Sequence, residues 1–141
     1  MTLSNAHLVQ ESFAKVVPVA DVAMTTFYER LFEHCPRLKP LFKGDMRSQE
    51  RKLLEALTGV VDSLDSLHLI LPDLEALAQR HVRYGVQEHH YQAAGQALIE
   101  TLELHLGDEF TPEVRAAWVS AYTVLSDVMI ASSNYKPHQH A

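Results

Sequence analysis

The chain has little of what marks secreted, repetitive or membrane-spanning proteins. Its 141 residues include one cysteine, Cys35, so no internal disulfide can form and a cross-linked secreted scaffold is excluded. Five Gly and six Pro, with no low-complexity stretch and no internal period, exclude repeat arrays. The longest apolar runs are a handful of residues, and the opening MTLSNAHLVQES has neither a charged n-region nor a long apolar h-region. A soluble, unexported, cytoplasmic protein without a membrane partner is the expectation. Positive charge is short too: 12 Lys and Arg against 18 Asp and Glu give a net charge of -6. Such a chain lacks the cationic field that gathers phosphates, so nucleic acid is not an expected partner.

What is present is a 47% hydrophobic chain of ordinary domain length, able to bury roughly two-thirds of the surface its unfolded form exposes. One domain over residues 1–141 is expected, frayed from about residue 134, with no room for a second catalytic domain. Apolar residues recur at i, i+3, i+4 and i+7 and hardly ever alternate, which predicts an all-α chain. A first helix spans about 4–17, with Leu8, Ser12, Phe13, Val16 and Val17 on one face. Pro18 breaks it, and a second helix covers about 19–34. Pro36 and Pro40 make a corner ending in Leu41 and Phe42. Gly44 and Asp45 open a long helix to about Leu64, with Leu53, Leu57, Val60 and Val61 on a buried face. A looser stretch leads to Pro72, and Gly85 closes the helix that follows. A helix from about Glu88 carries Ala94, Leu98, Leu102 and Leu106 and ends at Gly107. Thr111, Pro112 and Glu113 then open the last helix. Six or more helices of unequal length, with proline corners, suit crossed packing around a pocket better than a regular four-helix bundle.

His81 is the most informative position for chemistry. Leu74, Leu77 and Ala78 lie seven, four and three residues before it, so its ring shares their apolar stripe and points inward. An inward imidazole needs partners for both nitrogens. Periodicity alone leaves two readings open, a hydrogen-bonded core histidine and a metal ligand. Glu88, His89 and His90 with His81 invite a zinc reading, but adjacent histidines on one helix point about 100° apart and no i, i+4 pair occurs. His138 and His140 are expected to be solvated. Lys52, Arg80 and Arg83 are read as surface charge that would also suit carboxylate partners.

Longer segments carry a resemblance. PVADVAMTTFYERLFEHCPRLKPLF, RSQERKLLEAL, LAQRHVRYGVQEHHYQAAGQALIETL and AAWVSAYTVLSDVM, in that order and spacing, make the chain resemble a bacterial single-domain globin and the globin part of flavohaemoglobins. The resemblance covers nearly the whole chain. It implies a three-over-three globin fold and non-covalent haem b, consistent with the absence of a Cys-x-x-Cys-His sequence. His81 then matches the proximal iron ligand. Phe42, Leu53, Val86 and Tyr91 are implied to contact the haem, and Tyr28, Gln49 and Leu53 to line the distal ligand space. Without the resemblance, Tyr28 reads as a core aromatic and Gln49 as a solvated first-turn residue. In flavohaemoglobins a proximal tyrosine, matched by Tyr91, joins the histidine to a glutamate of the last helix; here Ser133 stands at that glutamate's place, which leaves the anionic push without its donor.

The implied function is reversible binding of dioxygen, and of nitric oxide or carbon monoxide, at ferrous iron. The alternative is nitric oxide dioxygenation dependent on a separate reductase. A haem-free helical interaction or sensor domain is the third reading.

Overall fold

Proline and glycine set the corners of an all-helical chain. The computed structural model describes residues 5–42, 44–83 and 85–133, without the side chains of Asn5 and Ser133. The expected tail from residue 134, with His138 and His140, lies outside the described residues. Among the described residues six α-helices are joined by 3-10 helices and short turns: α1 (Asn5–Val16), α2 (Ala20–His34), α3 (Met46–Asp62), α4 (Leu71–Arg83), α5 (His90–Leu106) and α6 (Pro112–Ser133). No strand occurs among the described residues.

The first corner corrects one expectation. Val17, placed by periodicity on the inner face of α1, is 50% exposed. The helix tightens there into the 3-10 helix Val17–Val19 around Pro18, and the larger turn per residue rotates Val17 off the stripe. At the head of α3 the Asp45 carboxylate accepts the Arg47 N–H at 3.0 Å, an N-cap that follows Gly44 at φ +85°. Gly85, at φ +95°, ends α4; its N–H donates to the Val82 carbonyl, and the Val86 N–H donates to the His81 carbonyl, both at 3.0 Å. α5 begins at His90 rather than at about Glu88. The buried His90 accepts the Gln87 N–H on Nδ1 at 2.9 Å, holding Gln87 and Glu88 in a turn. Thr111 caps α6, its hydroxyl accepting the Val114 N–H at 3.2 Å.

Helices α1, α3 and α4 lie over α2, α5 and α6, the three-over-three globin arrangement, with α2 on α5 and both α1 and α4 on α6. The main core joins Val9 and Phe13 to Phe27, Leu98, Leu102 and Trp118. The Trp118 indole N–H donates to the buried Ser12 hydroxyl at 2.8 Å, tying α1 to α6. A second, smaller cluster of Ala78, Tyr91 and Met129 lies between α4, α5 and α6, with Leu77, Val86, Leu125 and Ile130 at its edge. Residues 112–132 of α6 are, by length and a mean hydropathy of 1.2, apolar enough to cross a bilayer; here that helix packs against α1, α4 and α5.

Helix α3 departs from the buried-face expectation. Val61 is buried, but Leu53, Leu54, Leu57 and Val60 are only half-buried. Helix α4 similarly buries Leu74 and Ala78 and leaves Leu77, His81 and Val82 half-buried. The cause is what covers them. α3 packs on α1 and α2, and α4 packs on α6, so the remaining apolar rows are not closed by another helix.

Candidate haem site

Helix α2 carries Tyr28 on the face that packs into the main core, where it is 7% exposed. Its ring meets Phe27 and Phe42 edge-on, each with centroids 5.2 Å apart, and Phe32 at 5.9 Å. Such contacts add to plain burial because ring edges and faces carry opposite partial charge. Burial pushes the phenol up to about 12, and the nearby Glu50 carboxylate acts in the same direction. Tyr28 therefore stays a protonated donor at neutral pH. Phe42 reaches this aromatic group from the residue after the 3-10 helix Pro36–Leu41, and Leu53 of α3 packs against the same core. Gln49 is half-buried at the head of α3, its backbone N–H donating to the Asp45 carbonyl at 3.2 Å.

On α4, His81 is half-buried. Its Nδ1 lies 2.8 Å from the Leu77 carbonyl oxygen. A carbonyl can only accept, so Nδ1 carries the proton and donates, which leaves Nε2 with its lone pair. Burial lowers the His81 pKa, outweighing the opposing effect of the Leu77 hydrogen bond, and Arg80 lowers it further. The result is a neutral imidazole, the form that ligates metals. Its ring stacks on Tyr91, with centroids 6.2 Å apart and planes 18° apart. Tyr91 is fixed in turn from α6, because the Tyr122 hydroxyl donates to the Tyr91 carbonyl at 2.5 Å. Gly95 leaves room for that tyrosine: a Cβ there would lie 2.7 Å from Tyr122 Cε2.

The residues singled out from the sequence thus fall into two groups. Tyr28, Phe42 and Leu53 belong to the main core, whereas Val86 and Tyr91 belong to the second cluster beside His81. The zinc alternative gains no support: His90 is buried and His89 exposed, and no group of three metal-binding side chains occurs among the described residues. Lys52, Arg80 and Arg83 are exposed. The side chain of Ser133 lies outside the described residues. Sequence reasoning missed three features. Thr25 and Glu50 hydrogen-bond across α2 and α3, and Tyr122 holds Tyr91; neither long-range contact has a local signature. The third, Gly95, had a signal, since glycine in a helix interior usually marks close packing.

The donor set and surroundings fit haem. One neutral imidazole whose Nε2 keeps its lone pair is the kind of donor that would hold a haem iron, and its Nδ1–H is already oriented by a carbonyl. The half-buried apolar rows of α3 and α4 are what a flat, mostly apolar macrocycle would complete.

Comparison with known proteins agrees. The globin family model matches residues 25–129. The flavohemoprotein of Vibrio cholerae is 29% identical over 133 residues, covering 92% of this chain and 34% of that protein. The flavohemoprotein of Chromobacterium violaceum is 34% identical over 117 residues, covering 80% of this chain and 29% of its own. This chain therefore spans about one third of the length of these relatives. Among solved structures, an engineered carbene transferase of Rhodothermus marinus that carries a nitric oxide dioxygenase assignment superposes with a TM-score of 0.82 at 28% identity, over 94% of both chains. A bacterial globin from Campylobacter jejuni superposes with a TM-score of 0.80 at 21% identity, over 92% of this chain and 94% of that one, a likeness of fold. The match from α2 into α6 establishes that this chain belongs to the globin family, with non-covalent haem b as its cofactor.

Proposed function

We propose that the chain reversibly binds dioxygen, and other diatomic gases, with His81 on the proximal side and Tyr28 and Gln49 on the distal side. Haem, when bound, would be held by His81 and would supply the ferrous iron to which a diatomic gas binds. The observation that carries the reading is the His81 Nδ1 contact with the Leu77 carbonyl, which orients the ring and leaves the Nε2 lone pair to act as a ligand. On the other side, a phenol kept protonated by burial offers an O–H donor to a ligand that gathers negative charge. Gln49, at the head of α3, adds amide N–H donors to the same space. Leu53 and Phe42 keep water away from it, and Val86 and Tyr91 line the proximal side. An absorption spectrum of the reduced protein before and after exposure to air tests the proposal. An oxygenated spectrum that His81→Ala abolishes is expected; a colourless protein, or haem indifferent to His81, overturns it and favours the haem-free helical domain.

A second reading is nitric oxide dioxygenation, favoured by the flavohemoprotein relatives and the Rhodothermus marinus assignment. Joining dioxygen and nitric oxide as nitrate would consume one electron, so turnover needs an electron donor. Catalytic nitric oxide consumption with an added flavin reductase and reduced nicotinamide supports this reading; one stoichiometric turnover counts against it.

A further inference from the structure

We propose that Thr25 and Glu50 form a latch between α2 and α3 that gates the entry of small ligands to the space beside Tyr28 and Gln49. The gating half of this proposal rests on the globin reading above. Thr25 lies three residues before Tyr28 on α2, and Glu50 directly follows Gln49 on α3. The Thr25 hydroxyl donates to Glu50 Oε2 at 3.1 Å. Each latch residue therefore stands beside one of the two distal groups, and the contact joins the helices that carry them.

The hydroxyl has a choice of acceptors. Thr25 Oγ1 also lies 3.1 Å from the Asp21 carbonyl oxygen, one turn back along α2, yet a hydroxyl has a single proton to give. When Glu50 swings away, the proton can turn to Asp21 and the carboxylate can enter water. Thr25 is exposed and Glu50 half-buried, so opening leaves no buried polar group unsatisfied. Such a contact holds the closed state over the open one by roughly two- to fivefold, the range of an exposed charge-assisted pair.

The latch bears on the head of α3. That helix is entered through Gly44, whose surroundings are open enough that an added Cβ would meet nothing within 4 Å. Asp45 caps the helix from within its own first turn and leaves its lateral position to contacts such as the latch. The Glu50 charge also reaches Tyr28, where it helps hold the phenol protonated. Opening therefore changes both the access to the distal space and the field within it.

The test uses Thr25→Val, Glu50→Ala, their double variant and Thr25→Ser. Amide hydrogen exchange at residues 49–53 and carbon monoxide association by flash photolysis are both measured on the haem-loaded protein. Each removal is expected to speed exchange and association by roughly two- to fivefold. The double variant should add nothing to either single one, because one contact is lost in all three. Thr25→Ser, which keeps the hydroxyl, should behave as the parent does. Unchanged exchange alongside a normal Soret band overturns the latch alone, as does an effect of Thr25→Val that Glu50→Ala fails to reproduce. A parent protein that develops no Soret band with added haem overturns the gate together with the functional reading.

Discussion

Tyr28 and His81, the residues proposed for the two sides of the haem, are held by different means. Tyr28 is embedded in the main core among Phe27, Phe32 and Phe42, so its position is fixed by packing that the whole fold shares. His81 lies beside the small cluster of Ala78, Tyr91 and Met129, and its position is set by directed contacts: Nδ1 on the Leu77 carbonyl, the ring on Tyr91, and Tyr91 on Tyr122. Packing tolerates a changed polar tip as long as volume is kept, whereas directed contacts depend on distances and angles that even a small change of volume disturbs. The distal side should therefore be chemically tunable without loss of fold. The proximal side should be sensitive to small geometric change.

The widest test of this contrast compares the two clusters. Leu102→Ala, in the main core, is expected to lower the unfolding free energy of the haem-free protein by about 2–5 kcal/mol, as for other buried leucines. Met129→Ala should fall near the lower end of that range and act mainly by speeding haem loss, followed by transfer to an acceptor protein. Equal haem-loss rates in the two variants would abolish the distinction. Tyr28→Phe keeps the ring and removes the donor, so dioxygen dissociation should rise roughly ten- to a hundredfold, the worth of a charge-assisted hydrogen bond, with the thermal midpoint little changed. A large fall in the midpoint would mean that the phenol oxygen serves the fold rather than the ligand.

Smaller effects probe the proximal contacts. Gly95→Ala pushes a methyl against the Tyr122 ring; the overpacking exceeds the gain in helix propensity, for a net loss of about 1 kcal/mol. Its signature is a shifted iron–histidine stretching band as Tyr91 moves against His81, and an unmoved band would break the proposed line of contact. The smallest effect is one of pH. Burial, and then the neighbouring His89, lowers the His90 pKa below its usual 6.5. The unfolded chain then binds the proton more readily than the folded one, so this contribution to stability is whole above pH 6.5 and declines as the pH falls below it. His90→Asn, which can still accept the Gln87 N–H, should remove part of the acid sensitivity of the urea midpoint. An identical acid limb in parent and variant would exclude the effect.

Much of the fold could be read in advance, because its boundaries rest on local chemistry. Asp45, Gly85, Gly107 and Thr111 act where their backbone and capping preferences place them. Elsewhere the local pattern ran out. The inward stripe of α1 ended one residue early because Pro18 changed the helix type. The start of α5 slipped by two residues because a buried His90 took on a backbone donor, for which no sequence rule exists. The apolar face of α3 was read as buried, and periodicity records that a face is apolar, not what covers it. Within the site, the spacing of Leu74, Leu77 and Ala78 put His81 on their row, where it is half-buried, while the role proposed for it comes from the resemblance. The contacts of Thr25 with Glu50 and of Tyr122 with Tyr91 join residues 25 and 31 positions apart, and only folding reveals them.

Trp118 brings a practical consequence. The chain has one tryptophan, held in the dry core with its indole N–H on Ser12. Its fluorescence therefore comes from a single site that fades in two distinguishable ways: a red shift when water reaches the indole on unfolding, and quenching without a shift when haem absorbs its excitation energy. The protein thus contains its own optical gauge, in which emission colour reports the integrity of the α1–α6 junction and emission intensity reports cofactor occupancy.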